Sequence, residues 1–335
     1  MPALSSLERN GWNVVRLSTS RVRVDVLPGK GADILSIKWL PKQVELLWTS
    51  PWGLRDKDAP SVAGSSAERF LELYPGGWQT IFPNGGDECE LDGVVQPFHG
   101  EACIKPWTVT GTNVTDDQVT IEMSIQLSLS AFSLSKKILV GETTVTVIES
   151  VTNLSDGMRK AMWSHHPAFG APLISGATRV RCGASTFVVD DERDEPNGDL
   201  VSGSTSNWPS APKQDGSSAD LSRLPDQSTP LDRFGYLTDI EQGHAEIANP
   251  EIGLSVSLHW DASLFPNAWY WLEAHATQGF PWFGKAYVFA IEPASSYPGQ
   301  GIANVTSKTG TELTFGPYET KTQTIELRVA DSAYR

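Results

Sequence analysis

Apolar and polar residues alternate at every second position over long stretches of this chain. Between residues 119 and 129 the odd-numbered positions are Val, Ile, Met or Leu, and the even-numbered positions are polar. Successive side chains of a strand point to opposite faces, so this pattern predicts a half-buried strand. The same alternation at 21–27, 143–151, 254–260 and 322–329 indicates an all-β chain of antiparallel sheets with few short helices.

Turn residues separate the predicted strands at short intervals, which favours hairpins and meanders over helical crossovers. A length of 335 residues is compatible with one domain, because all-β units often exceed the usual domain size. Residues 190–230 are rich in Asp, Ser, Pro and Gly, but strands of the same character flank them on both sides. We therefore predict a single domain over residues 1–335, with a long covering loop at about 190–230. Loops of this length commonly serve binding.

The charge and the cysteine content limit the partners and the compartment. The chain carries a net charge of −14 and no cluster of Lys or Arg, so nucleic acids and anionic membranes, which require a basic surface, are disfavoured as partners. We expect a small uncharged molecule as the partner, and a monomer or homodimer. The first ten residues lack a signal pattern, and three scattered cysteines suit a reducing compartment, so we expect a cytoplasmic protein.

Two adjacent histidines and one glutamate are the first candidates for acid–base chemistry. His165 and His166 follow a strand-like segment, and Glu292 follows the apolar run 287–291. Imidazole and carboxyl groups titrate at roughly 6.5 and 4.3, so the two types can exchange protons near neutral pH. Adjacent strand residues point in opposite directions, so one of the two histidines can face a given cavity. Pro167 cannot donate to a ladder, so we expect the strand to end there.

A third histidine and a glycine-rich aromatic segment extend this candidate site. His99 precedes Gly100, which allows close approach of a ligand, and residues 74–88 combine glycines and carboxamides with the aromatic Trp78 and Phe82. That mixture is typical of a sugar pocket, where aromatic rings stack on C–H faces and amides bind hydroxyls. Structural alternatives stay open: strand-end histidines half exposed to solvent, aromatic residues in the core, and a glutamate that caps backbone N–H groups or pairs with arginine.

Four short segments carry a resemblance to a known family. They are residues 24–32, residues 82–101 with Phe-Pro-Asn and His-Gly-Glu at their ends, residues 166–169 with the sequence His-Pro-Ala-Phe, and residues 291–293 with the sequence Ile-Glu-Pro. In this order they resemble the aldose 1-epimerase (galactose mutarotase) family, in particular its divergent bacterial branch, over most of the chain. The resemblance implies a large antiparallel β-sandwich, the galactose mutarotase-like supersandwich, with a sugar site on its concave face.

By this resemblance, Glu292 corresponds to the general base that takes the proton of the anomeric hydroxyl, and His166 to the general acid that protonates the ring oxygen. His99 corresponds to a second histidine that binds the sugar. Ring opening, rotation about the C1–C2 bond and reclosure would then exchange the α and β anomers of a hexose, with no cofactor and no metal. The remaining residues expected to bind substrate are Asn84, Gln79, Trp78, Arg69, Asp232 and Phe169.

One position departs from the family pattern. The family commonly has Asn-Arg where this chain has Asn84-Gly85, so the arginine contact to sugar hydroxyls is missing or comes from elsewhere. Arg69 is the candidate replacement, and a surface position is its alternative. Asp232 matches the family's substrate-binding aspartate loosely. Three tryptophans are candidates for stacking on the sugar or for the core: Trp269, Trp271 and Trp282.

Three functions therefore compete: a mutarotase-type isomerase, a catalytically silent sugar-binding protein on the same fold, and a metal enzyme that uses histidines and glutamate. The presence of both an acid and a base favours the isomerase over the silent binder. Metal sites in β-proteins commonly take His-x-His from one strand so that both rings share a face, whereas His165 and His166 diverge. The substrate stays open among neutral, acidic and phosphorylated hexoses.

Overall fold

The computed structural model describes residues 1–193 and 195–331; Asp194 and residues 332–335, which the predicted domain includes, lie outside the described residues. Over the described ranges strands dominate, with two short α-helices, α1 (Ser66–Leu73) and α2 (Ile302–Lys308), and one 3-10 helix at Leu40–Lys42. The predicted all-β class with few short helices is confirmed. No helix within these ranges is long and apolar enough to cross a membrane.

Residues 1–153, all of which are described, form twelve strands. They are β1 (Ala3–Arg9), β2 (Trp12–Ser18), β3 (Val22–Leu27), β4 (Asp33–Trp39), β5 (Val44–Glu45), β6 (Trp78–Ile81), β7 (Cys89–Leu91), β8 (Val94–Gln96), β9 (Thr108–Val114), β10 (Val119–Gln126), β11 (Phe132–Val140) and β12 (Thr144–Asn153). Strands β3, β10 and β12 correspond to three of the strands that alternation predicts.

The described residues after 153 add twelve more strands. They are β13 (Arg159–Ala161), β14 (Ser164–Gly170), β15 (Arg179–Val189), β16 (Thr205–Asn207), β17 (Ser210–Pro212), β18 (Ser218–Asp220), β19 (Leu231–Asn249), β20 (Leu254–Trp260), β21 (Asn267–Ala274), β22 (Tyr287–Ala294), β23 (Leu313–Phe315) and β24 (Thr320–Asp331). Strands β20 and β24 correspond to the other two predicted strands.

Among the described strands, 18 belong to one antiparallel sheet. Its ladder runs β1-β2-β3-β4-β6-β14-β22-β21-β19-β20-β24-β12-β11-β10-β9. Strand β5 is added beside β4, β15 beside β19, and β16 beside β15. Strand β19 pairs with β21 through its first half and with β20 through its second half. The sheet therefore passes from one layer of the sandwich to the other through β19.

One large apolar cluster fills the space between the layers. Strand β12 alternates between half-buried and buried positions along its whole length, and its buried Val145 and Val147 join Val24, Phe289 and Leu327 from other strands in this cluster. Removing apolar surface from water is the main favourable contribution to folding. The period of two in the sequence thus sets which face of each strand lies in the core.

Strand β14 differs from the expectation that it ends at Pro167. It runs through both histidines and the proline as far as Gly170. The pairing of β14 with β22 skips residues 165–167, so the missing N–H of Pro167 removes no bond on that side. A proline is tolerated here because the ladder is already interrupted.

Residues 190–230, predicted as a covering loop, contain the short strands β16, β17 and β18 at described positions. Leu200 and Leu221 are buried in the main apolar cluster. Arg233 of β19 holds the segment through two hydrogen bonds, of 2.7 and 2.8 Å, to the carboxylate of Asp199. The segment therefore packs onto the sheet through both apolar and ionic contacts.

Candidate active site

The candidate residues lie in a row that crosses five neighbouring strands. The strand register places Tyr236 of β19 beside Trp269 of β21, and Trp269 beside Glu292 of β22. It also places His166 of β14 beside Gln79 of β6. Residues directly opposite each other on paired strands share a face of the sheet. This row therefore forms one continuous strip of the sheet surface.

His166 and Glu292 meet at the gap in the ladder between β14 and β22. The two strands pair on either side of residues 165–167 and 291–293, in one unbroken register. His166 and Glu292 are the central residues of these two stretches, so the register sets them opposite each other, with Cβ atoms about 5 Å apart in an ideal pair. Nε2 of His166 is 3.5 Å from Oε1 of Glu292. Register alone thus joins two residues that are far apart in sequence.

Burial sets the protonation of this pair. Glu292 and His166 are 1% and 8% exposed. Burial raises the pKa of Glu292 well above its ordinary value, an effect that Arg193 partly offsets, and burial lowers the pKa of His166 to about 4. A dry environment disfavours the charged form of each group. Near neutral pH the pair therefore holds one proton, with the neutral arrangement, protonated Glu292 beside neutral His166, favoured.

Tyr74 fixes the ring of His166. It follows α1 directly, and its hydroxyl lies 3.3 Å from Nδ1 of His166. Burial, followed by the charge of Glu292, raises the pKa of Tyr74 well above its ordinary value, so it stays a neutral phenol. When protonated Glu292 donates to Nε2 of His166, that nitrogen is the acceptor, so the ring proton of His166 lies on Nδ1. Nδ1 then donates a hydrogen bond to the hydroxyl oxygen of Tyr74. The same bond persists when Nε2 also gains a proton, so the ring keeps its orientation.

His99 presents a hydrogen-bond donor of fixed direction. Its Nδ1 accepts the backbone N–H of Gly86 at 2.9 Å. A backbone N–H can only donate, so the ring proton lies on Nε2. Burial, and next the charge of His166, lowers the pKa of His99 well below its ordinary value, so the ring is neutral. Its centroid is 6.2 Å from that of His166, which places this N–H beside the acid–base pair.

His165 faces the opposite side of β14 from His166. Its Nδ1 accepts a hydrogen bond of 3.1 Å from the indole N–H of Trp78, and its Nε2 is 3.6 Å from Oε1 of Glu149. Burial lowers its pKa to about 4, so the ring is neutral. The prediction that one of the two adjacent histidines faces a cavity is confirmed, since His166 lines it and His165 belongs to the interior.

A cavity of about 480 Å³ opens above the row. Sites for small organic ligands commonly measure roughly 300–1,000 Å³. Four of the predicted site residues line it: Glu292, His166, His99 and Asp232. The three tryptophans considered for stacking line it as well: Trp269, Trp271 and Trp282. The described residues contain no group of three or more His, Cys, Asp or Glu side chains placed to hold a metal ion.

Arg193 supplies a guanidinium at this cavity, and sequence analysis missed it. It lies in the covering segment and forms an ion pair of 3.0 Å with the buried Asp232. Its guanidinium carbon lies 5.1 Å from the centroid of the Phe234 ring, a cation–π distance. It is also the cation that lowers the pKa of Glu292 against the effect of burial. The sequence offered one indication of this role, which is that Arg193 lies in the segment predicted to serve binding.

The Asn84-Gly85 pair has a structural role. A Cβ atom on Gly85 would lie 2.8 Å from the ring of Trp269, so an arginine at this position would displace that tryptophan from the cavity wall. The amide of Asn84 donates to the carbonyl of Asp87 at 2.6 Å, and its oxygen accepts the N–H of Ile302 at 2.9 Å. We therefore revise the expected sugar contact of Asn84, which lies outside the cavity lining and joins its loop to α2.

Trp78 and Phe169 belong to the interior, and we revise their expected contacts with sugar. Phe169 lies three positions after His166, so the alternation of the strand turns it to the other face, where it is fully buried in the main apolar cluster. Trp78 lies in register with Pro167 and donates to His165. Strand alternation is the signal that could have excluded both residues.

Gln79 and Arg69 also lie outside the cavity lining. Gln79 shares the face of His166, but its amide donates to the carbonyl of Gly76 at 2.7 Å beside the chain entering β6. Arg69 is exposed on α1, whereas its neighbour Phe70 is buried and lines the cavity. The surface alternative for Arg69 therefore fits the structure, and the guanidinium that lines the cavity belongs to Arg193.

Asp190 holds two parts of the cavity mouth together. Its Oδ1 accepts the backbone N–H of Glu192 at 3.0 Å and that of Arg193 at 2.6 Å. Its Oδ2 accepts hydrogen bonds from the hydroxyl of Tyr236 and the amide of Gln300. One buried carboxylate therefore orders both the segment that carries Arg193 and the side chain of Gln300, which lines the cavity and was also missed from the sequence.

Residues 9–329 match the family described as a domain of unknown function (DUF4432). The chain belongs to this family. No curated protein matches the DUF4432 chain significantly.

Solved structures share the fold of the DUF4432 chain. A galactose mutarotase-like protein from Clostridium acetobutylicum has a TM-score of 0.70 at 17% identity, covering 98% of this chain and 99% of that one. A candidate aldose 1-epimerase from Klebsiella pneumoniae has a TM-score of 0.73 at 14% identity, covering 96% and 81%. The Slr1438 protein from Synechocystis has a TM-score of 0.68 at 15% identity, covering 99% and 97%. These likenesses show the galactose mutarotase-like fold.

Proposed function

We propose that this protein is an aldose 1-epimerase that interconverts the α and β anomers of an uncharged hexose or hexose derivative. The observation that carries the proposal is the His166–Glu292 pair, which lies against the cavity and holds one proton between an imidazole and a carboxyl group. The shared fold with galactose mutarotase-like proteins supports it.

The reaction requires one proton to leave the sugar while another arrives. Glu292 as carboxylate takes the proton of the C1 hydroxyl, C1–O5 breaks with its electron pair going to the ring oxygen, and protonated His166 delivers a proton to that oxygen. The product is an open aldehyde. Rotation about C1–C2 and reclosure, with Glu292 returning its proton to O1 and His166 taking one from O5, gives the other anomer. No proton is gained or lost over the cycle.

The His166–Glu292 pair holds one proton, as both ring opening and ring closure require. Opening converts the ion pair, Glu292 carboxylate beside His166 imidazolium, into the neutral pair. Burial favours the neutral pair in the free protein. The ion pair is the state that sugar hydroxyls and the nearby Arg193 stabilise on binding. Each state carries one proton, so both acid–base roles can reverse without exchange with solvent.

The remaining lining favours an uncharged sugar. The described lining contributes four carboxyl groups, of which that of Glu292 is neutral in the free protein, and one guanidinium, that of Arg193, which already pairs with Asp232. An anionic sugar would meet net repulsion there. Oε2 of Glu292 and Oε1 of Gln300 are buried without a hydrogen-bond partner among the described residues, so both can accept sugar hydroxyls. The ring N–H of His99 supplies a donor.

Anomer exchange of a panel of hexoses and their derivatives tests this function. Wild-type protein is expected to accelerate the approach of α- and β-forms to equilibrium, followed by polarimetry or by saturation-transfer NMR between the two anomeric protons. A sugar that binds without any acceleration, across the panel, would favour a catalytically silent sugar-binding protein over the epimerase.

The rate is expected to follow a bell-shaped pH profile. As the pH falls towards about 4, the pKa of His166, the imidazole gains a proton while Glu292 keeps its own, so no base is left. As the pH rises through the raised pKa of Glu292, the pair loses its last proton, so no acid is left. Polarimetry, corrected for the spontaneous rate, measures both limbs. An alkaline limb at the ordinary carboxyl pKa would contradict this account.

Replacement of Asp190 by Asn is expected to weaken sugar binding. Asparagine keeps one acceptor oxygen, but its NH2 group cannot accept hydrogen bonds as the second carboxylate oxygen does. Arg193 and Gln300 therefore no longer share one anchor. Hydrogen bonds to a charged group contribute about 1.5–3 kcal/mol each, so we expect KM to rise roughly ten-fold or more, with a smaller change in kcat because Asp190 does not contact the acid–base pair. The exposed neighbour variant Asp191→Asn is the matched control, and equal effects of the two variants would argue against a positioning role.

A further inference from the structure

The cavity has two chemically different walls. One is polar and includes Arg193 and Gln300, and the other is aromatic and includes Trp271 and Trp282. The ring centroid of Trp271 lies 5.4 Å from that of His166, and the ring of Trp282 follows at 6.1 Å from Trp271. The aromatic wall therefore begins at the acid–base pair and leads away from it.

Two exposed aromatic rings lie on the same connection as Trp282. The connection between β21 and β22, residues 275–286, contributes Pro281 and Trp282 to the lining. Phe280 and Phe283 flank these two residues, are 46% and 57% exposed, and have ring centroids 6.5 Å apart. Phe283 has a φ of 49°, an uncommon backbone conformation for a bulky residue and one that often marks a functional segment. Exposed aromatic rings on a segment that also lines a cavity are typical of a binding surface.

We propose that Phe280 and Phe283, next to Trp282, form a distal subsite for the second sugar ring of a reducing oligosaccharide. This inference rests on the proposed epimerase function. The acid–base pair acts on the anomeric centre of the reducing sugar, so an attached sugar would extend away from the pair and towards the exposed rings. A pyranose ring presents flat C–H faces that stack on aromatic rings, while its hydroxyls meet the polar wall.

The chemistry of the segment favours a saccharide over a protein partner. Residues 276–284 contain no charged side chain, which matches an uncharged ligand. Stable protein interfaces bury about 800 Å² on each partner, and two exposed phenylalanine rings supply a small part of such an area. A single sugar ring, by contrast, is matched in size by two neighbouring aromatic rings.

Comparison of reducing disaccharides with monosaccharides tests the subsite. The probes are maltose, cellobiose and lactose against glucose and galactose, with kcat/KM for anomer exchange as the readout. Wild type is expected to prefer at least one disaccharide, and the double variant F280A/F283A to lower the disaccharide-to-monosaccharide ratio of kcat/KM roughly two- to ten-fold, the usual range for one aromatic contact. Tyr318→Ala, at an exposed aromatic residue outside the cavity lining, is expected to leave the ratio unchanged.

Saturation-transfer NMR measures binding separately from turnover. Transfer from the protein to distal-ring protons in wild type, lost in F280A/F283A, supports the subsite even where no anomer exchange occurs, so failure of the reaction and failure of the subsite are distinguishable. An unchanged ratio together with unchanged transfer in the double variant overturns the subsite. Dimerisation of the wild type that F280A/F283A abolishes, with saccharide binding unaltered, assigns the two rings to self-association and also overturns it.

Discussion

Glu292→Gln is expected to lower kcat/KM for anomer exchange roughly 10²- to 10⁴-fold, the usual contribution of a general acid or base. Glutamine has the size and shape of a protonated glutamate but cannot take up or release the exchanged proton. Its amide oxygen still accepts a hydrogen bond, so sugar binding should remain measurable. Polarimetry gives the rate, and titration of the sugar against tryptophan fluorescence gives the affinity.

The loss of rate should occur without loss of stability. Burial raises the pKa of Glu292 in the folded protein, so the unfolded chain releases this proton at a lower pH, and wild type loses stability as the pH rises from the ordinary carboxyl pKa through the raised value. The amide of Glu292→Gln has no such proton to release. The melting temperature of this variant should therefore rise relative to that of wild type as the pH increases from the ordinary carboxyl pKa towards the raised pKa of Glu292. Glu246→Gln, outside the cavity, is the control. Retained activity in Glu292→Gln would exclude Glu292 from proton transfer.

Substitutions of the two adjacent histidines should have opposite consequences. His166→Gln is expected to lower the rate roughly 10²- to 10⁴-fold with little change in stability, because His166 lines the cavity and faces Glu292. His165→Gln is expected to lower the free energy of unfolding by about 1–3 kcal/mol, because the buried indole N–H of Trp78 loses its acceptor. The rate per folded molecule should then stay close to that of wild type.

Urea unfolding and the rate measured on folded protein separate these two effects. Each histidine variant is the control for the other, since the same residue type changes at neighbouring positions on opposite faces of β14 (Ser164–Gly170). A rate loss in His165→Gln as large as that in His166→Gln would contradict the assignment of proton transfer to one histidine.

Sequence periodicity predicts the strands that have one face on the core and the other towards solvent. Strands β10, β12 and β20 alternate for this reason, and the sequence located each of them closely. Strands β14 and β22 are buried at every position, so alternation cannot mark them. The apolar run before Glu292 still indicated β22, whereas the proline in β14 suggested an end that the interrupted ladder does not require.

The short motifs pointed to His166 and Glu292, which the structure brings together at the cavity. The motifs could not locate Arg193, which lies at the cavity through an ion pair with Asp232 of β19. Only its place in the segment predicted to serve binding distinguishes it from a surface arginine in the sequence. Asn84 belongs to one of these motifs for a structural reason. Its hydrogen bonds hold a loop together, and a motif marks structural residues as readily as catalytic ones.

The His166–Glu292 pair lies on central strands, whereas Arg193, Phe280 and Phe283 lie on connections between strands. A strand residue cannot shift without slipping the register of its whole ladder, but connections accept insertions and substitutions at little cost to the scaffold. Divergence within such a fold can therefore alter the ligand that the cavity accepts by changing residues 190–230 and 275–286 alone. The proposed proton transfer would then be retained, while the preference for a ligand would change independently of it.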